Sequence, residues 1–375
     1  MTILVPGRTE LAGNHTDHQG GHVLAAAVNL LISGTAEATG DNRVLLMSNG
    51  FGRIQVDLDR LDKTYSTPGT AEALVRGVLD YFRQKGYDFH GFRGALRSDI
   101  PAGAGLSSSA AFSVWVGRTI QKLFPLEEIS PMTLALAARY AENVHFGKPC
   151  GLMDQCACAY GGITAMSFRE AEPEVRRIST NPEELGYILC VVQTGGDHRD
   201  LTEDYAVITQ EMGAVAAHFG RDRLCGIEEK ELTAAIPELR KEVGDRAVLR
   251  ALHFVQEDRR AQEMAKALDA RDMDAYLAGM DASGRSSAEL LQNSFSPSHP
   301  RSQGISLALA LSRSILAGNG AARVHGGGFA GTIQAVMPAD LEESYRRKLE
   351  SVFGAGSCRR LGILTSDSAE MTMPL

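Results

Sequence analysis

The chain has 375 residues, of which 44% are hydrophobic and 22% charged, and its formal net charge is −8 at pH 7. This length favours two lobes, and the acidic balance excludes a general attraction to nucleic acid or anionic membranes. The six cysteines form no CxxC pair, no membrane-length apolar run occurs and the N-terminus lacks a secretory pattern, so we expect a cytoplasmic protein with reduced thiols.

Hydrophobic periodicity predicts strands and helices along the whole chain. The predicted strands lie at 23–28, 43–47, 92–100, 324–337 and 361–366, and the predicted helices at 71–86, 110–124, 131–146 and 339–353. Residues 169–187 are charged and contain proline, so we expect a hinge there, with lobes of 1–175 and 187–375. No strict βαβ rhythm is present, and the sequence therefore predicts the α+β class.

The segment 101–110 (PAGAGLSSSA), here called the serine loop, joins a Gly-x-Gly turn to a strongly apolar helix. Glycines let the backbone approach a ligand, and a helix N-terminus attracts negative charge, so we expect this loop to bind phosphate. An ordinary N-cap serine is the alternative. The loop has no lysine and is not a Walker A motif. The residues predicted to bind ATP phosphates are Gly103, Ala104, Gly105, Leu106, Ser107, Ser108 and Ser109.

A second glycine-rich segment, 326–331 (GGGFAG), here called the glycine loop, fits the dinucleotide fingerprint GxGxxG. That fingerprint requires a following helix, whereas TIQAVMP is predicted to be a strand. We interpret this segment as a tight loop at the wall of a site.

Polar residues are concentrated near the N-terminus, at Arg8 and in residues 13–21 (GNHTDHQGG), here called the polar loop. His15 and Asp17 are suited to hydrogen bonds with a polyhydroxylated ligand. The alternatives are a zinc site that also uses His18 and His22, and a capping Asx turn.

Asp154 lies in the segment KPCGLMDQ at 148–155, where it opens a predicted helix after a proline turn. Alone it would be read as an N-cap. Beside Arg8 it would stay ionised, and the arginine would compensate charge on a transferring phosphoryl group. This pair therefore suggests phosphoryl transfer, which depends on positioning and charge neutralisation.

Four motifs together resemble the galactokinase branch of the GHMP small-molecule kinases over nearly the whole chain. They are PGR with GNHTDH at 6–18, the serine loop, GLMDQ at 151–155 and the glycine loop. The resemblance implies an N-terminal ribosomal-S5-like lobe, a C-terminal ferredoxin-like lobe and a site in the cleft between them.

By the same resemblance, Asp154 and Arg8 match the catalytic pair, and the substrates are ATP and a sugar. The matched sugar contacts are Asn14, His15, Asp17, Gly151 and Tyr205. Ser109 and Glu142 match Mg²⁺ ligands, although either could instead be a helix cap or a surface carboxylate. The implied reaction is phosphorylation of the anomeric hydroxyl of galactose, by a cytoplasmic monomer or weak homodimer without nucleic-acid or membrane partners.

One departure concerns the sugar. Asn14 stands where the family has a glutamate that receives a hydroxyl at the far end of the sugar, which leaves galacturonate or another galactose-like sugar as an alternative substrate. The serine loop also resembles that of mevalonate kinase. A third alternative is a sugar and ATP sensor without turnover, although such sensors lose the Ser-Ala pair, which is intact here as Ser109-Ala110.

Overall fold

The computed structural model describes residues 1–49, 52–101, 105–126, 129–195 and 201–364, except for the side chain of Thr202. Two β-sheets organise these residues, one built from the first half of the chain and one from the second. Helices cover both sheets, so the predicted α+β class is confirmed.

The first sheet has the strand order β4-β3-β5-β2-β6-β7, with β1 paired to β2. Its strands are β1 (Thr2–Ala12), β2 (His22–Ala38), β3 (Arg43–Asn49), β4 (Gly52–Asp57), β5 (Phe92–Ser98), β6 (Ile163–Ser167) and β7 (Glu174–Ile178). β3 and β5 run parallel, and the other pairs are antiparallel. The polar loop joins β1 to β2, so these two strands fix both of its ends.

Four helices cover this sheet, and they are α1 (Ala71–Gln84), α2 (Ser108–Leu123), α3 (Pro131–Tyr140) and α4 (Met153–Tyr160). The helices α1, α2 and α4 contact the strands, and α3 packs against these three helices. Thr70 caps α1 by accepting a hydrogen bond from the amide of Ala73, as helix N-termini require. Trp115 and Phe112 of α2 are fully buried in the core. Each such side chain contributes about 1.5–3 kcal/mol, so α2 is held firmly where its N-terminus meets the serine loop.

The second sheet is antiparallel, with the order β11-β8-β10-β9. Its strands are β8 (Tyr187–Gln193), β9 (Ala321–His325), β10 (Thr332–Pro338) and β11 (Cys358–Leu361). The helices of this half are α5 (Thr202–His218), α6 (Glu229–Ala234), α7 (Ile236–Glu242), α8 (Asp245–Asp269), α9 (Met273–Ser286), α10 (Gly304–Leu316) and α11 (Glu342–Phe353). α8 reaches across to β1 and β2, so the second half touches the base of the polar loop.

Several predicted elements are confirmed, and others are wrong. Helix α1 ends just before Gly86, whose φ is +82°, and a strand follows the glycine loop as expected. The predicted hinge contains β7, which pairs with β6 and extends the first sheet to Ile178. The last strand is β11 at 358–361, and residues 365–366 of the predicted strand lie outside the described part. Along the described ranges, no helix is both long and apolar enough to cross a membrane.

Candidate active site

Arg8 lies on β1, where the strand passes beside the serine loop. A side chain on Gly7 would lie 2.9 Å from the carbonyl oxygen of Leu106, so glycine permits this close approach. The amide of Arg8 donates to the same carbonyl at 3.3 Å. Arg8 itself is 6% exposed, and its guanidinium is therefore fixed by protein contacts.

Arg8 and Asp154 form a direct ion pair, in which Nε of the arginine donates to Oδ1 of the aspartate at 2.7 Å. Nη1 of Arg8 also donates to the carbonyl of Gly105 at 2.5 Å, and the hydroxyl of Ser107 donates to Oδ2 of Asp154. Arg8, from the first motif, and Asp154, from the GLMDQ motif, thus meet at the N-terminal end of α2. The side chain of Asp154 is 34% exposed, so a ligand can reach it.

Asp154 is ionised at neutral pH. Burial raises the pKa of its carboxyl, but the charge of Arg8 and hydrogen bonds from Arg8 and Ser107 outweigh burial and leave the pKa below its ordinary value. A carboxylate held in this way is a weak base and a strong hydrogen-bond acceptor. Its arrangement suits orienting a hydroxyl group more than removing a proton in advance.

The described part of the serine loop has the geometry of an anion site. Gly105 has φ +68°, and Ser107 adopts a left-handed conformation with φ 57° and ψ 54°. Ser107 makes no side-chain cap to α2, because its hydroxyl is directed to Asp154. The N–H groups of the first turn, which starts at Ser108, are therefore available to phosphate oxygens. Gly103 and Ala104 lie outside the described residues.

Ser109 and Glu142 lie next to each other, and the hydroxyl of Ser109 lowers the pKa of the Glu142 carboxyl. A π-helical turn, Ala141–Phe146, brings Glu142 to 3% exposure, so it is not a surface carboxylate. Burial, and then the charge of Asp154, raise the pKa of Glu142. Its Oε1 atom is buried and makes no hydrogen bond in the described structure. An orphaned carboxylate oxygen beside a serine hydroxyl suits a hard cation such as Mg²⁺.

His15 and Asp17 project from the polar loop toward the same region. His15 has φ 59°, and its Nε2 lies 2.9 Å from the carbonyl oxygen of Gly327. Tyr205 stacks on His15 with ring centroids 6.5 Å apart and donates its hydroxyl to the carbonyl of Gly328 at 3.1 Å. These contacts bring the polar loop, α5 and the glycine loop together.

Asp17 packs directly against Gly151, where a methyl group would overlap the carboxylate. The pKa of Asp17 is raised to about 6, chiefly by burial; the hydrogen bond from the amide of His18 lowers it in part, and the charge of Asp154 adds to the rise. The contact with Gly151 places the polar loop beside the turn that carries Asp154.

Asn14, which the resemblance matches to a sugar contact, lies among buried protein groups. It is 1% exposed, its Nδ2 donates to Glu10 Oε1 at 3.3 Å and to the Gly326 carbonyl at 2.7 Å, and its Oδ1 accepts from Asn293 at 2.8 Å. A further bond from Ser287 at 3.4 Å uses the remaining acceptor capacity. Protein groups thus bind both N–H donors and the carbonyl oxygen of the Asn14 amide.

His15 and His22 of the polar region have partners other than a metal. His15 contacts the glycine loop, and His22 Nδ1 lies 2.7 Å from Asp258 Oδ1. Within the ranges that the structure describes, no three His, Cys, Asp or Glu residues are grouped as metal ligands. This arrangement gives no support to a zinc site.

Buried residues that the sequence analysis did not identify support the site through contacts with β1 and the polar loop. Buried Arg323 pairs with Glu10 at 2.6 Å, and Glu257 accepts the amides of Gly13 and Asn14 at 3.0 and 3.4 Å. Nothing local in the sequence marks these residues, because their partners are more than 200 positions away.

Comparisons with known proteins agree with this geometry. Residues 73–162 match the GHMP kinases N terminal domain, and residues 1–34 match the galactokinase galactose-binding signature. Galactokinase of Glaesserella parasuis serovar 5 is 30% identical over 354 residues, which cover 92% of this chain and 88% of that protein. A galactokinase of Actinobacillus pleuropneumoniae serotype 3 is also 30% identical, over 92% of this chain.

Solved structures show the same fold. Lactococcus lactis galactokinase, solved in complex with galactose, superimposes with a TM-score of 0.82 at 22% identity, covering 97% of this chain and 94% of that one. Methanococcus jannaschii mevalonate kinase gives a TM-score of 0.65 at 17% identity, with coverage of 97% and 98%. On its motifs, geometry and relatives, the chain belongs to the galactokinase family of the GHMP kinases.

Proposed function

We propose that this chain transfers the γ-phosphoryl group of ATP to the anomeric hydroxyl of galactose, giving galactose 1-phosphate and ADP. The observation that carries the proposal is the Arg8–Asp154 pair at the tip of α2, beside the polar loop. Phosphate, attacking hydroxyl and compensating charge would meet there. A phosphoryl transfer site needs these three features in contact.

In this site the N–H groups of α2 hold the phosphates, and Asp154 accepts a hydrogen bond from the attacking hydroxyl. The proton passes from that hydroxyl to Asp154 as the new O–P bond forms and the bond between the γ-phosphorus and ADP breaks, because the Arg8 pair makes Asp154 too weak a base to take it earlier. Arg8 offsets negative charge in the transition state. His15, Asp17, Gly151 and Tyr205 are the proposed sugar-binding residues.

Ser109 and Glu142 would hold Mg²⁺, since the free Oε1 of Glu142 is an oxygen ligand with no other partner in the described residues. Bound there, the ion would neutralise charge on the phosphate oxygens of ATP. We also propose that the protein is cytoplasmic and exists as a monomer or a weak homodimer. Its six cysteines are free thiols, which agrees with a reducing compartment.

The alternative substrate, galacturonate, loses its main support. That alternative required Asn14 to face the sugar, whereas Asn14 is buried and fully hydrogen-bonded. Galactose is therefore the preferred sugar.

A coupled ADP-release assay on the purified chain tests the proposal, with galactose, galacturonate, arabinose, N-acetylgalactosamine and mevalonate as acceptors. We expect the highest kcat/KM with galactose. Faster turnover of another acceptor would reassign the substrate. Binding of sugar and an ATP analogue without ADP release from any acceptor would identify a sensor.

A further inference from the structure

The polar loop is anchored by residues of the second half along most of its length. At its start, the carbonyl of Asn14 lies 3.0 Å from Nε2 of His253. Farther along, Gln19 accepts the amide of Leu224 with its side chain at 3.1 Å and the amide of Cys225 with its carbonyl at 3.2 Å. The loop that carries His15 and Asp17 therefore takes its shape from long-range contacts as well as from its own turn hydrogen bonds, which centre on Thr16.

Glu257 on α8 holds the first end of the loop. Its Oε1 accepts the amide of Gly13 at 3.0 Å, that of Asn14 at 3.4 Å and the hydroxyl of Ser283 at 2.7 Å, while Arg260 pairs with Oε2. The residue is 0% exposed. A buried carboxylate with these donors is fully satisfied, so displacing the loop would leave it short of partners.

Asp258, the next residue, holds the far end of the loop. Its Oδ1 accepts the amide of His22 at 2.6 Å and lies 2.7 Å from Nδ1 of the same histidine. A side chain on Gly21 would lie 2.9 Å from this oxygen, so the glycine admits the carboxylate. The side chain of Asp258 is 13% exposed. Two successive carboxylates of one helix thus bind the two ends of one loop.

We propose that Glu257 and Asp258 are positioning residues for the sugar: by fixing both ends of the polar loop, they set where His15 and Asp17 meet the substrate. The inference rests on the proposed function, because it takes the polar loop to be the sugar-binding loop. Neither carboxylate contacts the serine loop through any of the hydrogen bonds above. Removing either carboxylate should therefore weaken sugar binding and leave ATP binding unchanged.

Asp258→Ala is the main test, since this side chain lies nearer the surface and the variant keeps the buried Glu257. We expect its KM for galactose to rise about tenfold, because the His22 amide loses its acceptor, with kcat and the KM for ATP within about twofold of the parent. Asp258→Asn retains an acceptor oxygen and should recover most of the loss. The matched control is Glu263→Ala, an exposed carboxylate on the same helix, which should change neither KM.

Hydrogen exchange of the segment 12–22 gives a second readout that needs no activity. Asp258→Ala should speed exchange there and leave the 105–123 segment unchanged, and Glu257→Gln should act in the same direction. An unchanged exchange rate in 12–22, or an equal rise in both KM values, would overturn the positioning role. A parent enzyme without sugar-dependent ADP release would refute the proposed function instead, and the exchange comparison would still decide the anchoring.

Discussion

Asn14 Nδ2 donates a hydrogen bond to Oε1 of Glu10 across 3.3 Å, and both side chains are almost completely buried. Arg323 binds the same oxygen of Glu10 at 2.6 Å. The amide of Asn14 and the guanidinium of Arg323 thus share one carboxylate oxygen of Glu10 among buried side chains. The family glutamate that Asn14 replaces would meet a second carboxylate here.

Asn14→Glu should consequently destabilise the protein. The new carboxylate would face Glu10 and the Gly326 carbonyl, and we expect a loss of about 2–4 kcal/mol in the free energy of unfolding. The double variant Glu10→Gln with Asn14→Glu should restore most of it, because one amide and one carboxylate are again paired. Urea unfolding of the parent, the two single variants and the double variant measures the coupling free energy between positions 10 and 14. Additive effects of the two changes would contradict this explanation.

Asp154→Asn should lower kcat at least about 100-fold, since a neutral amide neither pairs with Arg8 nor accepts the substrate hydroxyl as strongly. ATP analogue binding should stay within about threefold, because the N–H groups of α2 are untouched. Turnover in an ADP-release assay and calorimetric titration of the analogue separate the two effects. Near-normal turnover would remove Asp154 from the catalytic role.

The contact between Arg8 and Asp154 could be expected from the sequence because their motifs carry recognisable residues in a fixed order. β1 could not be predicted well, because Pro6 and Gly7 interrupt its pattern, and the register of β1 on β2 shifts at that point. The residues that anchor the polar loop could not be predicted from the sequence either. Glu257 and Asn14 are 243 positions apart, and which way a side chain on a tight turn points depends on such contacts.

Gly151→Ala should impair sugar use. A methyl group at this position would overlap the carboxylate of Asp17 and push it from its place, so we expect the KM for galactose to rise about tenfold with little change in the KM for ATP. Gly213→Ala on α5 is the matched control, because no atom lies within 4 Å of the added methyl. Steady-state kinetics with each substrate varied provides the measurement. An unaltered galactose KM would exclude the steric argument.

Asp17→Asn should stabilise the protein at pH 8 and weaken galactose turnover. The pKa of Asp17 is raised from 3.8 to about 6 by burial, so its favourable contribution is present at low pH and is lost as pH rises through about 6. The neutral variant avoids that cost and should gain about 3 kcal/mol at pH 8, a gain that disappears below about pH 4. Thermal unfolding across this range measures it. A gain that grew toward low pH would have the wrong sign.

Glu142→Gln should raise the Mg²⁺ concentration needed for half-maximal activity by about tenfold, because a neutral amide oxygen binds a hard cation less well than a carboxylate. Saturating Mg²⁺ should recover most of kcat, since Arg8 and Asp154 are unaffected, and a chelator should stop the parent enzyme. Titration of activity with Mg²⁺ at fixed ATP provides the measurement. Ser109→Ala should shift the same curve in the same direction, since its hydroxyl lies beside the carboxylate. If both variants followed the parent curve, the cation would have to be held by other groups.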